Sequence, residues 1–275
     1  MIMEQIRKQF PIPIAVLCRR LELPRAFFYR RSTKDDSELA EKIKAIAFEH
    51  PAWGYRMIMA ELHKLGIESF RQGSRVNHKK IYRIYCRANL QKPPLVSKKK
   101  HTRITQPFTA TPAEFPGHVW AGDFLHDRIT TGKTFRIFNV LDVLTRRGFE
   151  PPIDFSLSGS RIAHNLDSLC TLYGPPRVFR QDDGPEFHSA EFQKTIRKWR
   201  IKEGVIPPAQ PFNNGHMESN HGTIREELLN REEFDSLRHA QERIRQWIKS
   251  YNTERPHSAL DYKPPIKVWN EYYGS

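Results

Sequence analysis

Three carboxylates stand out by where they fall in the chain. Asp123 interrupts an apolar stretch, Trp120-Ala121-Gly122-Asp123-Phe124-Leu125. Burying a lone carboxylate costs several kcal/mol, roughly, unless a cation meets it. Asp182 ends a short predicted strand and opens a turn, Gln181-Asp182-Asp183-Gly184-Pro185. Ligands in sheets with helical crossovers collect at such carboxyl ends of strands. Glu218 falls early in a helical stretch, Asn214-Gly215-His216-Met217-Glu218-Ser219. Taken singly, each has a plainer role open to it. Asp123 can pair with an arginine, Asp182 can serve its turn, and Glu218 can be a solvated helix residue. Taken together, they offer the oxygen ligands that hard divalent cations require. Two such ions held ~3.5–4 Å apart clamp the attacking and leaving oxygens of an in-line phosphoryl transfer. The candidate chemistry is therefore metal-dependent phosphoryl transfer.

Arg225 stands seven residues after Glu218. Two helical turns bring it to nearly the same face, with a drift of about 20°. It can hold a phosphate beside the acids, or pair with Glu226 or Glu232. His216 and His221 flank Glu218. Both are read first as structural or solvent-facing, with contact to DNA or metal as the alternative; His257, beside Pro256, is read as structural.

The elements that must position these residues lie in the second half of the chain. His118 to Leu125 and Phe135 to Leu141 read as strands around a Thr131-Gly132-Lys133 turn. Phe149 to Phe155 predicts a third strand, at an edge or interrupted, because Pro151 and Pro152 remove ladder donors. Ile162, Leu166, Leu169 and Tyr173 predict a helix that Gly174-Pro175-Pro176 ends. A strand from Arg177 to Gln181, a helix through Phe192, Ile196 and Trp199, and a strand from Ile201 to Ile206 follow. A helix from about Asn214 to Asn230 and a long one from near Ser236 complete the order β-β-β-α-β-α-β-α-α. Three strands in succession imply an antiparallel meander; the later alternation adds strands in parallel through helical crossovers.

The first half is different in charge. Residues 1–117 carry 23 basic and 10 acidic residues, and 118–275 carry 22 and 21. Nearly all of the net +14 therefore sits in the first half, which suits a polyanion. Two short helices are predicted within 13–31, and a third begins at Asp35, Asp36 or Ser37. A helix from Arg56 to Leu65, a turn at Gly66 and a basic helix from Val76 to Ala88 match a helix-turn-helix. Its candidate DNA contacts are Lys79, Lys80 and Arg83. Gln91 to Pro116 reads as an extended basic linker whose Lys98, Lys99 and Lys100 can touch phosphates without a fold. The expected domains are a helical segment (1–34), a helix-turn-helix domain (35–92), a linker (93–117), a catalytic core (118–232) and a C-terminal helix and tail (233–275).

No apolar run approaches the ~18 residues that span a bilayer, and residues 1–10, with no apolar run after them, are not expected to be a secretory signal. Three scattered cysteines, Cys18, Cys86 and Cys170, form no zinc or disulfide pattern and suit a reducing cytosol. The expected location is the cytoplasm.

With these pieces in order, the chain resembles the OrfB transposases of the "insertion sequence three" group, in the DDE, retroviral-integrase-like superfamily. The resemblance rests on several segments and spans nearly the whole chain. They are Val16-Leu17-Cys18-Arg19-Arg20-Leu21 through Tyr29, Trp53-Gly54-Tyr55-Arg56, Val76-Asn77-His78-Lys79-Lys80-Ile81 and Val119-Trp120-Ala121-Gly122-Asp123-Phe124. Further on come Asp182 through Phe187, Asn214 through Ser219 and Tyr251 through Leu260. Thirty-five residues separate Asp182 from Glu218, the spacing of this family's signature.

The resemblance implies an α/β fold: a ribonuclease H-like core with a mixed five-stranded sheet of order 3-2-1-4-5, preceded by the all-α helix-turn-helix region. It implies Asp123, Asp182 and Glu218 as catalytic, metal-binding acids and Arg225 as the basic residue that follows. It also implies two Mg2+ ions, with Mn2+ as substitute, transposon-end and target DNA, homo-oligomers on DNA, an upstream OrfA-type partner, and a copy-out route through a circular intermediate. Asp183, Val143, Asn213 and Asn220 depart from the family's usual asparagine, aspartate, glutamine and phenylalanine. The expected activity is cleavage of element ends and joining of the 3′ hydroxyl to DNA. Two rivals are a catalytically inactive DNA-binding repressor and a nuclease that cuts without joining.

Overall fold

The computed structural model of the chain describes residues 13–24, 36–67, 75–92, 111–206 and 215–274. Lys98, Lys99, Lys100, Asn213 and the helix expected around Phe27 and Phe28 lie outside the described residues.

Helix α1 (Ile14–Arg20) opens the described chain. Helices α2 (Ser37–Glu49), α3 (Tyr55–Lys64) and α4 (His78–Arg87) then pack around Ile43, Trp53, Ile58, Leu62, Ile81 and Ile84. The apolar residues of α4 recur at helical spacing, which buries Ile81, Ile84 and Tyr85 together. Asn77 caps α4 by accepting the Lys79 backbone N–H at 2.9 Å.

The second half builds one sheet from β1 (Val119–Arg128), β2 (Thr134–Asp142), β3 (Ile153–Asp154), β4 (Val178–Gln181) and β5 (Lys202–Val205). The strand order is β3-β2-β1-β4-β5, as the resemblance implied. β1, β2 and β3 are antiparallel, while β4 and β5 join in parallel. The crossovers are α5 (Gly159–Tyr173) and α6 (Ala190–Lys198). β3 is shorter than its apolar run predicts. Pro151 and Pro152 leave no donors, so pairing there is reduced to Phe149 N–H to Val140 and Phe138 N–H to Pro152.

The two faces of the sheet are covered by different helices. Trp120, Phe138, Val140 and Phe179 pack with Ile162, Leu166 and Phe192 of α5 and α6. On the other face, Val119, Ala121 and Leu141 meet Met217 of α7 (Gly215–Ile224). Further along that face, Leu125, Phe135 and Ile137 meet Ile224, Leu228 and Ile244, the last from α8 (Leu237–Thr253). The residues read as a tail hold a further helix, α9 (Pro265–Tyr273). Pro265 sits in its first turn, where its missing N–H costs nothing, and Trp269 anchors it against Phe149.

Gly122 shows how tightly the first face is filled. A Cβ there would lie 2.5 Å from Phe179 Cζ and 3.2 Å from Phe138 Cζ. Gly122→Ala is expected to destabilise the fold by about 1–3 kcal/mol through overpacking. Urea denaturation measures this, and a midpoint unchanged from wild type would contradict the packing described.

Candidate active site

Residues alternate between faces along a strand, so Asp123 points to the α7 side with Ala121 and Leu125. The β1–β4 register pairs Val119 with Val178 and Ala121 with Arg180. Continued two residues, it sets Asp123 beside Asp182, on the same face, just past the end of β4. Glu218 stands on α7, which covers that face, and is exposed. The apolar layer under α7 is interrupted by a pair of asparagines. Asn139, opposite Asp123 in the β1–β2 ladder, donates through Nδ2 to Asn220 Oδ1 at 2.6 Å. Both asparagines are buried.

Burial pushes the Asp123 carboxyl up to about 6, against the pull of the Phe124 N–H that it accepts at 2.7 Å. The negative charges of Asp182 and Glu218 push it further in the same direction. The three acids therefore share one neighbourhood and repel. They are not closed around a point: among the described residues, no group of three His, Cys, Asp or Glu side chains is close enough to hold a metal ion. The donor set, all carboxylate oxygen, still fits a hard divalent cation.

His221, read as structural or solvent-facing with contact to metal or DNA as the alternative, is structural. One turn after Glu218, it is largely buried, with Nδ1 3.8 Å from Asp123 Oδ2. Burial, with Arg225 adding, holds its pKa down to about 4. A neutral imidazole at that distance neither pairs with nor hydrogen-bonds Asp123. Its i, i+3 spacing from Glu218 accounts for its place beside the acids. His216 faces away, toward Arg146 and Arg180.

Arg225 takes neither of its alternative partners. Glu226 pairs with Lys92, and Glu232 with Arg243. Instead Arg225 Nη2 donates to the His126 carbonyl on β1 at 3.2 Å. At Arg225 the helix widens into a π turn, Arg225–Leu229, a feature common at functional sites. Asp183 turns outward, 2.8 Å from His188 Nε2, and its charge is not among those that raise Asp123.

The loop after Asp182 is pinned at three points. Asp182 Oδ1 accepts the Gly184 N–H at 3.2 Å. Glu186 pairs with Arg136 of β2 at 2.6 Å, and that guanidinium lies 4.1 Å over the Phe124 ring. Gly159 lets α5 approach so closely that a Cβ would sit 2.3 Å from Ser189 Cβ. In the helix-turn-helix region, Lys80 and Arg83 both reach Asp36 at 2.7 Å, while Lys79 lies on the exposed side of α4.

Similarity to known proteins points the same way. Integrase core domain families match residues 113–211 and 199–265, and an HTH-like domain matches 34–100. An uncharacterized protein of insertion element IS407 from Burkholderia multivorans is 33% identical across 96% of this chain and 92% of its own. The transposase for insertion sequence element IS904 from Lactococcus lactis is 30% identical across 86% of this chain and 96% of its own. The chain belongs to the insertion-sequence transposases of the OrfB, DDE group.

This transposase is thus a polynucleotidyl transferase of the transposase/integrase class, and DNA is its partner. Among solved structures, the catalytic core of the HTLV-2 integrase, in complex with magnesium, is similar over 57% of this chain and 99% of its own, at 20% identity and TM-score 0.45. No helix among the described residues is long and apolar enough to cross a membrane.

Proposed function

We propose that Asp123, Asp182 and Glu218 are the catalytic acids and hold two divalent cations, Mg2+ with Mn2+ as substitute. One observation carries this. The Asp123 carboxyl is held up by burial first and by the charges of Asp182 and Glu218 after it, and no Lys or Arg among the described residues counters them. Such a site is unfavourable without a cation and favourable with one. When bound, the two ions supply a positive clamp for the attacking and leaving oxygens of an in-line phosphoryl transfer.

The chain's own residues do the rest. β1 and the pinned loop after β4 keep Asp123 and Asp182 side by side. α7 carries Glu218 across from them. Arg225, anchored to the His126 carbonyl, offers a guanidinium at the rim for a DNA phosphate. In the reaction, water breaks a phosphodiester at the element end, and the freed 3′ hydroxyl then attacks a phosphodiester of the DNA it joins, whose own 3′ oxygen leaves. The exposed side of α4 with Lys79, together with Lys80, Arg83 and Lys98 to Lys100, supplies the contacts to DNA. The acting form is a homo-oligomer on transposon ends and target DNA, together with the upstream OrfA-type protein, in the bacterial cytoplasm.

A strand-transfer assay tests this directly. Purified protein, with and without the upstream partner, is mixed with labelled element-end DNA and Mg2+. Joined product that requires Mg2+ is the expected result. Cutting without joining would make the chain a nuclease. Binding without any chemistry, under every metal and partner condition, would make it a DNA-binding repressor.

A further inference from the structure

A cavity of about 270 Å³ lies on the other flank of α7 from Glu218. His216, Ser219, Asn220 and Thr223 line one side of it. Their i, i+3, i+4, i+7 spacing forms a single stripe of the helix. Arg146 and the segment Arg255-Pro256-His257-Ser258-Ala259 line the other side. That segment belongs to the C-terminal motif, which the chemistry of the three acids leaves without a role.

The charge of this cavity is one-sided. Among the described residues, two arginines line it and no carboxylate does. Arg255 is engaged by Glu227 at 2.7 Å. Arg146 makes no ion pair among the described residues; its Nη1 donates to the Val143 carbonyl at 2.7 Å. Asp142 is near, but its oxygens already accept from Gly117 N–H, Thr145 N–H and Thr145 Oγ1. Arg146 is also held at φ +63°, where glycine or asparagine is at ease and a long side chain is strained. Strain of that kind persists where the surroundings hold it in place, and it clusters at functional sites.

Buried polar atoms in the wall lack partners. Asn220 is 3% exposed and His257 9%. Asn220 Nδ2 and His257 Nε2 have no hydrogen-bond partner among the described residues. Asn220 Nδ2 faces the Tyr251 phenol without closing a bond of ordinary geometry. Buried groups of this kind are normally satisfied, so each orphan asks for an occupant. The Ser219 and Ser258 hydroxyls stand on the same walls.

We propose that this cavity binds a single phosphate group, either the phosphodiester of a DNA strand or a free phosphate. Arg146 supplies the charge, and Asn220 Nδ2 and the serine hydroxyls supply neutral donors. A planar guanidinium fork matches phosphate oxygens in a bidentate way. Met57 of α3 also lines the cavity, so a strand held here runs where the helix-turn-helix region meets the sheet domain. The inference stands apart from the roles proposed for Asp123, Asp182 and Glu218, none of which lines the cavity.

The strained backbone supplies a clean test. Arg146→Gly removes the guanidinium and relieves the φ at the same position, so the fold should be retained. Full-length wild type and Arg146→Gly are titrated by calorimetry with inorganic phosphate and with a thymidine octanucleotide, at constant ionic strength. Saturable phosphate binding by wild type is expected, weakened about tenfold or more in Arg146→Gly, the loss typical of a charge-assisted contact. The melting temperature without phosphate should be unchanged or raised. Ser219→Ala, on the exposed side of α7, is the second variant and should weaken phosphate binding by a smaller factor. If the octanucleotide displaces phosphate and also depends on Arg146, the phosphate is that of a DNA strand. If phosphate alone depends on Arg146, the ligand is free phosphate. Equal phosphate and octanucleotide binding by Arg146→Gly and wild type would overturn the proposal. So would the absence of saturable binding of either probe to wild type.

Discussion

Glu218→Gln is expected to lower strand joining by at least about 10³-fold while leaving the fold and DNA binding in place. Removing one preorganised group that stabilises transition-state charge costs about 10²–10³ in rate. A metal ligand should cost more, because its loss also weakens the ion that does the stabilising. Glu218 is exposed on α7, so the fold has little to lose. Surface substitutions of that kind stay within about ±0.5 kcal/mol. Asp182→Asn should match the loss of joining, though its side chain also accepts the Gly184 N–H. An amide keeps that acceptor and removes only the charge. Joining, DNA binding and melting temperature measured on the same preparations separate the roles. Joining within tenfold of wild type in Glu218→Gln would remove Glu218 from the chemistry.

How far the sequence carries this site depends on how local each cause is. Asp123 is legible because a single acid in an apolar strand has no local reason to be there. The sheet order follows from three consecutive strands and then strands alternating with helices. Arg136 and Glu186 are fifty residues apart, and their pairing across the site exists only once β2 and the loop after β4 are assembled. The Asn139–Asn220 bond spans 81 residues and is equally invisible. Asn220, a departure from the family pattern, is thereby a buried, bonded residue next to the acids rather than a gap. Lys80 and Arg83 read as free cations in the sequence because Asp36, which both reach, lies more than forty residues earlier. The π turn at Arg225 is a backbone widening with no residue signature, so the predicted helix runs straight through it.

Asp123→Asn should behave in the opposite way to most buried substitutions and make the metal-free protein more stable at neutral pH. Its carboxyl is raised from 3.8 to about 6, burial first and the charges of Asp182 and Glu218 after. A shift of about two units corresponds to roughly 2–3 kcal/mol, and partial exposure reduces this to roughly 1–2. The folded state binds the extra proton between the two values, so wild-type stability falls as pH rises from about 4 to about 6. Above that range the full cost is present; below it, none. Asparagine does not titrate. The stability difference between Asp123→Asn and wild type should therefore be constant above pH 6 and vanish toward pH 4. Mg2+ should reverse the order, because an ion that binds only the folded wild type stabilises it by mass action. Urea midpoints across pH 4–8, with and without Mg2+, measure all of this. A variant no more stable than wild type at pH 7 would mean that neither burial nor the neighbouring carboxylates disfavour the Asp123 charge in the folded chain. A stabilised, inactive variant would mark Asp123 as a residue kept at a cost to the fold for the charge it presents.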